Sequence, residues 1–178
     1  MKRFSAAAAA LLMASCGAPD GAQDAADQPD PSIGVADFAP LNARTFSGLL
    51  TYRDYQSDGT VEIPVVATVD VDVPSDTIRI TFEYPEEPQA DNVVSIEITD
   101  DGRTFGGETV VERRDGPPLV FVTTSTVQDA GADADARFTY TIDRCGYSSV
   151  KDVRPVGADA YFERNRFELR AVGDPACN

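Results

Sequence analysis

From Arg44 onward, apolar and polar residues alternate along the chain with a period of two. The clearest run covers residues 60–73, where an apolar residue stands at every second position from Val61. This alternation predicts half-buried β-strands, because successive side chains of a strand point to opposite faces of its sheet. The pattern predicts eight or nine strands, over approximately residues 45–54, 60–73, 77–84, 92–99, 103–113, 119–127, 136–144, 147–155 and 160–172.

Short turns separate most of the predicted strands. Asp58-Gly59 and Asp101-Gly102 suit the positive φ angles of tight hairpin turns. Gly106-Gly107 predicts a bulge or a barrel corner within the fifth strand, and residues 129–134 predict a longer loop. We therefore expect an all-β, antiparallel, up-and-down meander that closes into a barrel and so removes its exposed edges. The alternative is a two-sheet β-sandwich, which the scarcity of long connections disfavours.

The chain begins with a segment that has the features of an export signal. Lys2 and Arg3 precede an apolar run that is too short to span a bilayer, which takes ~20 residues. The run ends in Met13-Ala14-Ser15-Cys16, which resembles the cleavage site of bacterial lipoprotein signal peptides. The resemblance implies that residues 1–15 are removed and that Cys16 is acylated. Because stable anchoring takes two acyl chains, the modified Cys16 would hold the protein on the lipid bilayer. The alternative is a secreted protein that is cut a few residues later.

Residues 16–43 would join the anchor to the folded domain, which we expect over residues 44–178. Residues 17–32 contain four Asp, no basic residue and no large apolar residue, a composition that predicts a disordered, extended tether. Residues 33–43 form an irregular lead-in that we expect to dock on the domain. Gly17 follows the acylated position, where Asp is the usual inner-membrane retention signal of lipoproteins. The resemblance therefore implies a lipid-anchored protein of the cell envelope, at the outer membrane and facing the periplasm.

The composition excludes several kinds of chemistry. The net charge of −15 disfavours binding to nucleic acid or to anionic lipid headgroups. The chain has no His, which removes His-based triads, His general bases and the commonest metal ligand. No nucleophile motif or phosphate-binding loop is present. We therefore expect no enzyme activity, no cofactor and no metal.

Three cysteines remain to be assigned. If Cys16 is acylated, Cys145 and Cys177 are left as a pair in an oxidising compartment. A disulfide between them would attach the C-terminus to the domain and contribute ~3–4 kcal/mol in the chain-entropy model. The alternative is two free thiols that lie too far apart to react.

The domain as a whole resembles bacterial lipocalin-like lipoproteins, which are single barrels of the calycin type. The resemblance covers about residues 44–172 and depends on the leader, the Phe46-Ser47-Gly48 opening strand, the hairpin meander and an Arg-rich last strand. It implies an apolar or amphipathic ligand inside the barrel. An inward Arg of the last strand could then bind a ligand carboxylate in a bidentate manner.

The candidate ligand-binding residues are the aromatic and aliphatic side chains on the predicted inner face, together with two arginines of the last strand. The alternatives are that the apolar side chains only fill the core, and that the arginines form a solvated, salt-bridged outer face with Arg170. The acidic loop at residues 129–135 supplies Asp carboxylates, but its spacing lacks the Gly and Glu of an EF-hand, so a surface loop is the better interpretation. The candidate set is Phe46, Leu50, Tyr52, Phe82, Tyr84, Phe121, Tyr140, Arg164 and Arg166, with Ile80 and Phe138 on the same face.

Two functions of different class follow from these patterns. The first is a membrane-anchored envelope lipoprotein whose barrel binds a small apolar or amphipathic ligand. The second is a non-catalytic structural or interaction lipoprotein with a filled barrel and a protein partner on its outer face. A cavity inside the barrel would favour the first function, and a packed interior with an apolar outer patch would favour the second. We expect a monomer in either case.

Overall fold

A computed structural model describes residues 30–54, 57 and 59–177. The predicted signal peptide, the acylation site Cys16 and the first part of the predicted tether therefore lie outside the described residues. The strands of the described part are β1 (Arg44–Arg53), β2 (Thr60–Asp72), β3 (Thr77–Glu83), β4 (Asn92–Thr99), β5 (Thr104–Phe105), β6 (Glu108–Arg114), β7 (Leu119–Asp129), β8 (Ala132–Ile142), β9 (Gly146–Pro155) and β10 (Phe162–Ala171). Five short 3₁₀ helices accompany them, at Val35–Leu41, Val73–Ser75, Pro88–Ala90, Asp100–Gly102 and Pro175–Cys177.

The ten strands form one closed antiparallel barrel. Each strand pairs with its neighbours along the chain, and β1 pairs with β10 from Phe46 opposite Ala171 to Tyr52 opposite Asn165. The predicted all-β meander and its closure into a barrel are confirmed, and the chain does not form the alternative sandwich. Closure follows from the uninterrupted series of hairpins, because a twisted sheet of this many strands satisfies its two edges by joining them.

The strand count and one connection differ from the prediction. Gly106 and Gly107 have φ angles of 58° and 86°, so they form a tight turn that divides the predicted fifth strand into β5 and β6. Ala130 and Gly131 also have positive φ and make a two-residue hairpin, where a longer loop was expected. A turn of two consecutive residues with positive φ matches the right-handed twist of the flanking strands, so both strands remain paired as far as the turn.

The closing contact between β1 and β10 depends on Gly48. A Cβ atom placed on Gly48 would lie 1.9 Å from the carbonyl oxygen of Glu168, which belongs to the backbone of β10. The two backbones therefore approach more closely than any residue with a side chain permits.

The 3₁₀ helix Val35–Leu41 closes one end of the barrel; we call this end the plugged end. Its apolar side chains and Ile33 before it belong to the main hydrophobic core: Ile33, Val35, Phe38 and Leu41. The ring of Phe38 stacks on Phe105 with a centroid separation of 5.5 Å and meets Phe121 edge-on at 6.0 Å. This segment corresponds to the predicted lead-in.

Polar contacts hold the plug in place. The Ile33 amide donates to the Gly102 carbonyl at 2.9 Å. The Arg113 guanidinium of β6 donates to both carboxylate oxygens of Asp37, at 2.7 and 2.9 Å, and the Gly34 amide donates to the same carboxylate. Burial raises the pKa of Asp37, but these hydrogen bonds and the Arg113 charge outweigh it, so the net pKa lies below the ordinary value.

The hydrogen-bonded wall is incomplete toward the opposite end. β5 pairs with β4 only at Ile98 and Thr99, and the pairing of β6 with β7 reaches no further than Thr124. Within the described residues, strand residues 92–96 of β4 and 125–129 of β7 therefore have a strand partner on one side only. This leaves a gap in the wall between β4 and β7, on the side of the Gly106-Gly107 turn that is farther from the plugged end.

The C-terminus is attached to the barrel as predicted. Cys145 and Cys177 form a disulfide, with their Cα atoms 5.1 Å apart. Next to it, the Asp174 carboxylate pairs with the guanidinium groups of Arg44 and Arg144. Of the residues that the structure describes, none belongs to a helix long and apolar enough to cross a membrane.

Candidate ligand cavity inside the barrel

A cavity of about 310 Å³ lies inside the barrel, between β3 and β4 on one side and β8, β9 and β10 on the other. This volume is near the lower limit of the ~300–1,000 Å³ typical of small-molecule pockets. Val94 lines the cavity and is also 39% exposed, so the cavity reaches solvent beside the unpaired edge of β4. The lining residues are Ile80, Phe82, Val94, Ile96, Phe138, Tyr140, Tyr147, Ser149, Lys151, Asn165 and Phe167.

The two sides of the cavity differ in chemistry. The β3–β4 side is entirely apolar, with Ile80, Phe82, Val94 and Ile96. The β9–β10 side carries an ammonium, an amide and hydroxyl groups. This division follows from the alternation along each strand, because inward positions of β3 and β4 are apolar and several inward positions of β9 and β10 are polar.

An aromatic cluster forms the floor of the cavity on the plugged side. The ring of Tyr140 stacks on Phe121 at 4.7 Å and meets Phe105 edge-on at 5.0 Å. Phe105 stacks in turn on Phe38 of the plug. The floor is therefore a packed layer several rings thick, and the cavity does not extend through it.

Glu108 of β6 lies in the interior beside this floor. Its carboxylate accepts hydrogen bonds from the Thr123 hydroxyl and from the Tyr140 hydroxyl, the latter at 3.2 Å. Burial raises the pKa of Glu108; the two hydrogen bonds and the charge of Lys151 lower it without cancelling the effect of burial. Burial likewise raises the pKa of Tyr140 well above its ordinary value and that of Tyr147 to about 12, so both phenols are neutral hydrogen-bonding groups at neutral pH.

Lys151 supplies the positive charge of the cavity lining. Its Nζ lies 5.5 Å from the centroid of the Phe138 ring, at cation–π distance. Asn165 stands directly opposite Lys151 in the β9–β10 pairing, and Ser149 precedes it by two residues on the same face of β9. Within the described residues, no carboxylate forms an ion pair with Lys151 and no side chain hydrogen-bonds the Asn165 amide.

The structure divides the predicted apolar site residues into two groups. Phe82 and Tyr140 line the cavity, as do Ile80 and Phe138. The others are elsewhere: Phe46 and Phe121 are fully buried in the core, Tyr84 is buried at the end of β3, Leu50 packs against the core, and Tyr52 is half-buried opposite Asn165.

The two predicted arginines lie away from the cavity. The β10 register shifts between Glu163 and Asn165, as at a β-bulge, and the Arg164 guanidinium there contacts Asp129 at 3.2 Å. Arg166 is on the outer face, with Glu163 and Glu168 each 3.6 Å from its guanidinium.

Several interior polar residues were not predicted as site residues from the sequence, among them Lys151, Ser149, Asn165 and Glu108. Lys151 shares the alternation of Tyr147, Ser149 and Val153, so its position could have been read as inward once β9 was assigned.

The acidic loop shows separate pairings. Asp135 pairs with Arg154 at 2.6 Å, Asp133 accepts a hydrogen bond from Gln128, and Asp129 pairs with Arg164. Among residues 30–54, 57 and 59–177, no group of three or more acidic or Cys side chains is arranged to hold a metal ion. These carboxylates therefore act in the structure as partners of neighbouring side chains.

Comparison with protein-family models finds no matching family, and comparison with curated proteins finds no matching sequence. The fold therefore defines the class of the protein, a closed antiparallel β-barrel with an interior cavity.

Proposed function

We propose that this protein is a lipocalin-like lipoprotein of the bacterial cell envelope, anchored through acylated Cys16, whose barrel binds a small amphipathic ligand. The observation that carries the binding function is the cavity of about 310 Å³ inside the barrel, with an apolar side and a polar side. A barrel that served only as a scaffold would gain stability by filling this space, because empty volume costs packing contacts.

The arrangement of the wall supports the same function. The gap between β4 and β7 lies beside Val94, where the cavity reaches solvent, so a small molecule has a route into the interior. The exposed apolar side chains of the described residues are distributed over several strands and turns. Within the described residues, the interaction function would then depend on the unpaired edges of β4 and β7.

The pairing of Cys145 with Cys177 supports the anchor. It leaves Cys16 as the third cysteine of the chain, in the sequence context of a lipoprotein cleavage site. Replacing Cys16 by Ser should prevent acylation and move the protein from the membrane fraction to the soluble or misprocessed pool. Fractionation of bacterial envelopes with an antibody against the barrel tests this, and normal membrane retention of the Cys16→Ser variant would refute the anchor.

Native mass spectrometry tests the binding function. The processed chain is purified from the envelope in lipid nanodiscs and released in the gas phase, where a noncovalent ligand appears as a discrete added mass. We expect such a mass, and we expect it to be lost in Ser149→Phe, which places a ring in the cavity. Ser148→Phe is the matched control, since Ser148 is the preceding residue and lies outside the cavity lining.

A bare protein mass, together with no stabilisation by any apolar or amphipathic probe, would contradict the binding function. The interaction function would then be the better explanation of the fold.

A further inference from the structure

Among the residues that the structure describes, no carboxylate forms an ion pair with Lys151, although the chain has twice as many acidic as basic residues. Most arginines of the described part form ion pairs, including Arg113 with Asp37 and Arg154 with Asp135. The Lys151 side chain instead lines the cavity, with its ammonium at cation–π distance from the Phe138 ring. Glu108 interacts with Lys151 electrostatically but forms no ion pair with it. A half-buried cation without an ion pair is costly unless water or a ligand satisfies it.

The groups beside Lys151 complete an anion-binding arrangement. The Asn165 amide lies opposite Lys151 on β10, and the Ser149 hydroxyl lies one inward position away on β9; all three line the cavity. An ammonium, an amide and a hydroxyl together offer hydrogen-bond donors that match the two oxygens of a carboxylate. Their position on paired strands of the barrel fixes them relative to each other.

The volume and the floor limit the size of the ligand. At the ~30 Å³ that one water molecule occupies in the liquid, a cavity of about 310 Å³ holds about ten non-hydrogen atoms. The packed rings of Tyr140, Phe121, Phe105 and Phe38 prevent a longer chain from passing toward the plugged end. The apolar side chains of β3 and β4 lie on the side of the cavity opposite Lys151, Asn165 and Ser149.

The interior also limits the charge of the ligand. Lys151 is the one cation among the described lining residues, so the lining can neutralise one negative charge and would leave a second charge without a partner. On the basis of the proposed binding function, we propose that the ligand is a monocarboxylate of about ten non-hydrogen atoms in total, with a compact apolar body and a carboxylate that binds Lys151, Asn165 and Ser149. The apolar body would pack against Ile80, Val94 and Ile96.

The test compares carboxylates with their neutral isosteres on the processed chain in nanodiscs, with empty nanodiscs as the blank. The probes are benzoate, phenylacetate and octanoate, the three corresponding primary amides, and palmitate. Lys2 lies in the predicted leader, so Lys151 is the one lysine of the processed chain, and selective ¹³C-lysine labelling gives one side-chain NMR signal for titration.

We expect at least one short carboxylate to shift the lysine signal and to bind at least tenfold more tightly than its amide. Lys151→Met should weaken the carboxylate about ten- to a hundredfold and leave the amide unchanged, since a charge-assisted hydrogen bond is lost. Lys151→Arg should keep most of the affinity. Arg79→Met, which removes one exposed charge from the outer face of β3, is the matched control and should bind as the wild type does.

The outcomes separate this inference from the binding function. Equal affinity for carboxylates and amides in the wild type overturns the inference while the binding function stands, and this comparison does not depend on any variant folding. Tighter binding of palmitate than of all short acids overturns the size limit. No binding of any probe, in a protein that also carries no copurified mass, overturns both.

Discussion

The plug is the part of the fold with the clearest energetic consequence, and Phe38→Ala measures it. Phe38 is 2% exposed and packs its ring against Phe105 and Phe121. Truncating a buried Phe to Ala costs ~3–5 kcal/mol, because it removes the transfer free energy of the ring and leaves a cavity that the surroundings fill only in part. The rigid barrel wall around Phe38 limits such collapse, so we expect a loss in the upper half of that range.

A loss of this size is a large fraction of the ~5–15 kcal/mol that stabilises a typical domain. At ~2–4 °C per kcal/mol for a chain of this size, the melting temperature should fall by roughly 8–20 °C. Urea unfolding measures the free energy and thermal unfolding measures the melting temperature, each followed by far-UV circular dichroism and by tyrosine fluorescence, since the protein has no Trp. Val73→Ala is the matched control, since Val73 is 60% exposed and should change the free energy of unfolding by less than ~0.5 kcal/mol.

A Phe38→Ala variant within ~1 kcal/mol of the wild type would refute the docking of the helix. Residues 33–41 would then belong with the tether and not with the folded domain.

Two further predictions concern the closure and the interior of the barrel. Gly48→Ala should destabilise the protein severely or prevent folding, because the new Cβ would lie 1.9 Å from the Glu168 carbonyl oxygen. Thermal unfolding followed by circular dichroism measures this effect. A melting temperature close to that of the wild type would show that β1 and β10 can move apart with little loss of stability. Glu108→Gln should raise the free energy of unfolding at pH 7 relative to the wild type but not at pH 4. The folded-state pKa of Glu108 lies above the unfolded value of 4.5, so the unfolded state releases this proton first and the wild type loses stability as the pH rises between the two values. Urea titrations of both proteins across this range measure the difference, and an equal offset at the two pH values would contradict the burial of an ionisable Glu108.

The period-two alternation and the positions of the turns were sufficient to predict the antiparallel order and all strands except the division of the fifth into β5 and β6. They are local properties, since each strand is recognised from its own side chains and each hairpin from two to four residues. Closure into a barrel followed from the short connections, and the pairing of Cys145 with Cys177 followed from counting cysteines.

The site depended on information that no local pattern contains. Whether Phe82 lines a cavity or Phe121 fills the core is decided by how much volume the opposite strands supply, and both residues alternate in the same way. Arg164 and Arg166 looked equivalent in the sequence, but a register shift at Arg164 and the acids beside Arg166 gave them different partners.

The sequence by itself therefore determined most of the strands, the order in which they pair and, with Cys16 taken as the acylated residue, which cysteines join. The tertiary structure decided that residues 33–41 close one end of the barrel and that a cavity remains between this plug and the opposite end. It also decided that Lys151 is the cation of the cavity lining. The physical reason is that strand formation depends on alternation along a few residues, whereas a cavity is the space left after side chains from seven strands and the plug have packed together.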